Sequence, residues 1–202
     1  MKTYYIETPS SAGVTIHNRL HSQESDLLLV LLPGVGYLVS HTILHLMSIL
    51  GLNLGYDVLQ IPYGFQVAQD DFELDQIPLI RKECQQTLSE ALERGYQSVV
   101  LVGKSLGTLL AASLSQEFSQ IEKLILLTPV MDSTSMTGSI PTLALIGTAD
   151  NAYNPDNVQN SATLNWRVFE GLDHGLMVPG DVQASLKVLP DVVQACEDFL
   201  RK

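Results

Sequence analysis

The chain is predicted to fold as an α/β structure, a mostly parallel sheet flanked by helices on both faces, on three observations. Apolar blocks of four to six residues alternate with longer segments whose apolar residues recur at helical spacing, which is the rhythm of βα units. The runs Leu28-Leu29-Val30-Leu31-Leu32 and Val99-Val100-Leu101-Val102 are continuously apolar, as strands covered on both faces are. Composition agrees: 46% of the 202 residues are apolar and 16% charged, which suits one large core and excludes a disordered chain. A single domain over 1–202 is expected at this length.

Taken in order, residues 3–7 and 14–18 flank Thr-Pro-Ser-Ser-Ala-Gly and read as an antiparallel hairpin. The parallel strands are expected at 27–32, 57–61, 98–102, 123–127, 142–146 and 166–169. Helices fill the gaps. Ser40 is the expected cap of one that presents Ile43, Leu44, Met47, Leu50 and Leu54. Asp75 is the expected cap of a second, which presents Ile77, Ile80, Cys84, Leu88 and Ala91 and stops at Gly95. A third runs from Ser105 to about Phe118. The last presents Val192, Val193, Cys196, Phe199 and Leu200 and is expected to start near Pro190. No repeat, low-complexity tract or linker interrupts the series.

Charge excludes several functions. There are 22 acidic and 11 basic residues, a formal net charge of −11, and the basic clusters are no longer than Arg81-Lys82 and Arg201-Lys202. Phosphate backbones need a cationic footprint, so nucleic acid is not an expected partner. Residues 27–56 contain no Asp, Glu, Lys or Arg, long enough for a membrane span. Pro33-Gly34-Val35-Gly36 cuts that stretch, and His41, His45, Ser48 and Asn53 make its second piece amphipathic, so a buried strand and helix are expected, with no membrane partner. Cys84 and Cys196 lie in helical patterns without redox or metal spacing and are expected as buried free thiols. With no signal-like N-terminal segment, a cytoplasmic location is expected. His41 and His45 stand four apart, a spacing used for metals, but no third ligand accompanies them, and neither metal nor cofactor is expected.

The chemistry concentrates at Gly103-Lys104-Ser105-Leu106-Gly107, a Gly-x-Ser-x-Gly motif between an expected strand and an expected helix. Such a turn exposes the serine hydroxyl, and glycines on either side avoid backbone clashes. It also aims the Leu106 N–H at a reacting carbonyl oxygen from a helix N-terminus. Gly103-Lys104-Ser105 also resembles the tail of a phosphate-binding loop, but Ser98 stands where that motif needs glycine, and a strand replaces the loop. Downstream, Gly147-Thr148-Ala149-Asp150 places a carboxylate just past one strand. Glu170-Gly171-Leu172-Asp173-His174-Gly175 then places a histidine just past the next. Ser105, Asp150 and His174 therefore follow the order Ser, Asp, His.

Gly-Lys-Ser-Leu-Gly, Gly-Thr-Ala-Asp and Gly-Leu-Asp-His-Gly together resemble the α/β-hydrolase superfamily, and the resemblance covers nearly the whole chain. It implies Ser105 as nucleophile, His174 as general base and then acid, and Asp150 as the group orienting the imidazole. Asp132 occupies an alternative acid position used by some members, and Asp173 is expected to structure its loop. The second oxyanion donor is expected from Leu32-Pro33-Gly34-Val35-Gly36-Tyr37, at the Val35 N–H with Gly36 as the alternative. Pro33 departs there from the usual histidine. Only about fifteen residues, Thr128 to Thr142, lie between the strand at 123–127 and the acid-bearing one, where family members usually insert a lid, and these are too few for a cap domain. The pocket would then be bounded by Gly36, Tyr37, Tyr63, Phe65, Met131, Tyr153 and Met177. The expected function is a lidless serine hydrolase acting on a small carboxylic ester or thioester, similar to carboxylesterases and dienelactone-hydrolase-like proteins. Acyl transfer with the same residues and a non-catalytic interaction module on the same fold are the alternatives. The oligomeric state is left open.

Overall fold

The computed structural model describes residues 1–130, 133–160 and 164–202. It begins with a hairpin, β1 (Lys2–Pro9) and β2 (Thr15–Ser22), paired from Lys2 opposite Ser22 to Pro9 opposite Thr15. Period-two alternation turns Ile6 and Thr8, and Ile16, Asn18 and Leu20, inward while their neighbours face water. The parallel part comprises β3 (Leu27–Leu32), β4 (Asp57–Gln60), β5 (Ser98–Lys104), β6 (Ile121–Leu127), β7 (Thr142–Gly147) and β8 (Asn165–Phe169). The sheet order is β1-β2-β4-β3-β5-β6-β7-β8, with β2 antiparallel to β4 and every later pair parallel.

The continuous apolar runs are buried on both faces. Leu28, Val30 and Leu32 of β3 join one core with Leu101 of β5, while Leu29 and Leu31 join the other with Val100 and Val102. The first core is covered by α3 (Ile77–Leu92) and α4 (Leu106–Leu114), the second by α1 (Thr42–Asn53) and α6 (Val182–Leu200). The uncharged stretch is therefore an inner strand and a packed helix. Among the described residues no helix is long and apolar enough to cross a membrane.

Four helix boundaries differ from expectation. Ser40 does not cap α1. His41 takes the cap position without a side-chain bond, and the Ile43 N–H donates instead to the Tyr37 hydroxyl at 2.9 Å. Asp75 lies inside a 3-10 turn, Leu74–Gln76, and α3 starts after it with Pro78 in its first turn. Gly95, at φ 93, takes the left-handed position just past its end. Helix α4 ends at Leu114, because the Ser115 hydroxyl donates to the Ala112 carbonyl and the chain tightens into turns. Helix α6 starts at Val182, where the Asp181 carboxylate accepts the Ala184 N–H at 2.9 Å, and Pro190 lies inside it. Pro190 is exposed, so the carbonyl left without its N–H donor is on the solvent side. Two short helices, α2 (Gly64–Ala68) and α5 (Pro155–Asn160), carry too few residues for a readable period.

Candidate active site

All the chemistry-bearing loops leave the sheet at the C-terminal edge of its parallel strands. Ser105 joins β5 to α4 at φ 53 and ψ −117, a region in which a non-glycine residue costs roughly 1–3 kcal/mol. Its N–H donates to the Leu127 carbonyl at 3.0 Å, and its carbonyl accepts the Thr108 hydroxyl at 2.6 Å, so both sides of the turn are tied. The glycines are required by close approach. A Cβ on Gly103 would lie 2.3 Å from the Gly107 carbonyl oxygen, and one on Gly107 would lie 2.1 Å from the Leu32 carbonyl oxygen. The motif spacing is thus a packing condition between the elbow, the first turn of α4 and the end of β3.

His174 follows β8 and Asp150 follows β7. His174 Nε2 is 2.9 Å from Ser105 Oγ, and His174 Nδ1 is 2.8 Å from Asp150 Oδ2. The Asp150 side chain is 1% exposed and that of His174 is 44% exposed, so the carboxylate end is dry and the imidazole is open to solvent. An acceptor at Nδ1 favours the tautomer whose Nε2 lone pair faces the serine. Asp173 folds the histidine loop by accepting the Gly175 N–H at 2.8 Å and the Met177 N–H at 3.1 Å.

The loop after β3 approaches from the other side. A Cβ on Gly34 would be 3.1 Å from Ser105 Cβ, which places this turn against the serine. The carbonyls of Gly34 and Val35 accept from Gln66 Nε2 at 2.8 and 3.1 Å. The described peptides are all trans, so the N–H groups of Val35 and Gly36 point away from Gln66. Leu106 opens α4, where a helix leaves its first N–H groups without intrahelical acceptors.

No family model matches the chain, and no curated protein matches it significantly in sequence. Solved structures do match in fold. A candidate α/β hydrolase of unknown function from Agrobacterium tumefaciens superposes with a TM-score of 0.77 at 17% identity, over 98% of this chain and 95% of its own. The Pyrococcus furiosus esterase Pf2001 gives 0.72 at 16% identity, covering 99% of this chain and 92% of its own. XC6422 from Xanthomonas campestris, described as an α/β serine hydrolase without a lid, gives 0.71 at 14% identity, covering 100% and 94%.

The chain has the α/β-hydrolase fold. In this hydrolase fold the 128–141 loop between β6 and β7 forms no helix or strand among its described residues, so no cap domain stands over the serine there. Met131 and Asp132, expected at the pocket and at the alternative acid position, lie outside the described residues. Two residues expected at the pocket are buried instead. Tyr63 is 1% exposed and donates its hydroxyl to the Pro33 carbonyl at 2.7 Å, while Phe65 stacks between Tyr63 and Phe72. Tyr63 thus supports the loop from behind, with Phe65 packed against it. Gly36 is exposed; Tyr37, Tyr153 and Met177 are half-buried. His41 packs edge-on against Tyr37, and among the described residues no group of three metal-ligating side chains assembles. Cys84 and Cys196 are buried free thiols, and burial pushes Cys196 up to about 12.

Two contributors were not foreseen. Gln66 gives no sequence signal, because it acts through backbone atoms about thirty positions away. Lys104 lies inside the motif. Its side chain turns into the protein, and burial lowers it to about 8, against the opposing pull of Asp150 and Asp173.

Proposed function

We propose that the protein is a serine hydrolase that cleaves a small carboxylic ester or thioester through an acyl-enzyme on Ser105. The observation carrying this is the unbroken series from Ser105 Oγ through the imidazole to the dry Asp150 carboxylate, at 2.9 and 2.8 Å. The esterase and serine-hydrolase names of structural neighbours point the same way.

In the first half-reaction Ser105 Oγ attacks the substrate carbonyl carbon while His174 Nε2 takes its proton. Asp150 keeps the other imidazole proton on Nδ1 and stabilises the imidazolium as it forms. The carbonyl oxygen becomes an oxyanion between the N–H groups of Leu106 and Val35, the second donor held outward by Gln66. Collapse of the tetrahedral species breaks the bond to the alcohol or thiol, which leaves with the proton from Nε2. Water then attacks the acyl-enzyme, giving its proton to His174, and the acid is released as that proton returns to Ser105. No metal or cofactor is called for. Ser105 is half-buried and His174 is solvent-open, which suits short acyl groups presented from the open edge.

The test is labelling by a fluorophosphonate probe read by intact mass, together with the burst of p-nitrophenol from a short-chain p-nitrophenyl ester. One adduct on Ser105 and a burst abolished by Ser105→Ala are expected. A folded wild-type chain that takes no label at Ser105 refutes the reading and leaves a non-catalytic role for the fold. Product analysis with an added alcohol separates hydrolysis from acyl transfer.

A further inference from the structure

The residue before the nucleophile carries a group that the reaction above does not use. Lys104 is 1% exposed, and its ammonium meets groups from three other loops. Nζ donates to Thr128 Oγ1 at 2.6 Å and to the His174 main-chain carbonyl at 2.6 Å, and it stands 5.0 Å from the centre of the Tyr37 ring. Those partners follow β6, β8 and β3, so one charged side chain of the elbow ties together the histidine loop and the oxyanion loop.

A buried ammonium is costly, and an apolar side chain of like volume would pack here at lower cost. Its position explains its use. The atom it grips is the carbonyl of the residue whose imidazole must stay on Ser105. The charged groups around it are Asp150 after β7 and Asp173 after β8, with His174 itself bonded to Asp150. Tyr37, from the β3 side, stays neutral because burial pushes its phenol up.

We propose that Lys104 is a positioning residue of this site: its ammonium pins the His174 main chain to the nucleophile elbow and so holds Nε2 within reach of Ser105 Oγ. The proposal rests on the serine-hydrolase reading. Lys104 acts through His174 and does not touch the reacting atoms.

A pH signature separates this role from a plain structural tether. Burial lowers Lys104 to about 8 in the folded chain, against its ordinary value of 10.5 when the chain is unfolded. Between those values the unfolded state binds more protons, so this group's contribution to stability rises with pH. Turnover is expected to move the other way, falling on the alkaline side as the ammonium loses its charge and its bond to the His174 carbonyl weakens.

The experiment uses the full chain, measuring p-nitrophenyl butyrate turnover from neutral to alkaline pH, urea unfolding, and the downfield proton resonance of the His174 Nδ1–H. Lys104→Met is expected to lose about 100-fold in kcat with KM within about threefold, and to broaden that resonance. Thr128→Val removes one acceptor of the ammonium and is expected to move the alkaline fall in turnover to lower pH. A folded Lys104→Met variant with kcat within about threefold of wild type overturns the proposal. If that variant does not fold, Thr128→Val decides, and a variant whose kcat and alkaline limb both match wild type overturns it equally. Failure of the hydrolase reading would show separately, as a wild-type chain unlabelled at Ser105. The Nδ1 resonance would even then report whether Lys104 holds the imidazole.

Discussion

Gly107→Ala tests how the elbow is seated. The added Cβ would lie 2.1 Å from the Leu32 carbonyl oxygen and 2.7 Å from the Pro33 carbonyl oxygen. Ordinary contact begins at 3.4 Å, so α4 or the end of β3 must move by about 1.3 Å to admit it. Neither yields easily, because Leu32 pairs with Gly103 in the sheet and Leu106 is buried against the same core. Overpacking against backbone costs about 3 kcal/mol, at the upper end of the usual range. For a chain of this length that is a fall in Tm of roughly 6–12 °C. The same displacement separates Ser105 from the β3 loop, and a misplacement of ~1 Å is worth ~100-fold in rate. Urea unfolding and ester turnover are measured on the same preparation, with Gly36→Ala as the stability control because no atom of the described residues lies within 4 Å of its added Cβ. The control is expected to stay within about 0.5 kcal/mol of wild type. A Gly107→Ala variant as stable and as active as wild type would refute the seating of the elbow on β3.

Two further outcomes are expected. Asp150→Asn presents an amide donor to His174 Nδ1 and so favours the tautomer with its proton on Nε2, where it cannot accept from Ser105. Turnover is expected to fall by about 10³ to 10⁴-fold in a chain whose circular dichroism is unchanged, and an Asn variant within tenfold of wild type would remove Asp150 from the proposed mechanism. Gln66→Ala frees the carbonyls of Gly34 and Val35. It is expected to lower kcat/KM about tenfold with little loss of stability, and wild-type kinetics would show that the loop holds its N–H groups outward without Gln66.

Much of this arrangement is legible along the chain because it is local. Strands buried on two faces must be apolar at every position, so β3 and β5 are visible as runs, and the helices between them show their stripes. The elbow is visible because glycine is demanded on both sides of Ser105 by contacts within one turn and its neighbouring strand. Asp150 and His174 each fall just past a strand, so topology alone brings them to the edge that holds Ser105. Boundaries were less legible where a side chain from elsewhere does the capping, as Tyr37 does for α1, or where a proline is tolerated on a wet face, as Pro190 is in α6.

By itself the sequence determined the α/β architecture, the strand-to-helix serine and the order of its two partners, since each follows from periodicity, from glycine sterics or from position relative to a strand end. Tertiary structure alone decided that Tyr63 is buried beneath the loop and bonded to its Pro33 carbonyl, that Gln66 turns two peptide planes, and that Lys104 reaches a carbonyl 70 positions away. Those contacts join residues whose separation along the chain has no period. Their partners are mostly backbone atoms, which every residue carries alike, so nothing in the order of side chains announces them before the chain has folded.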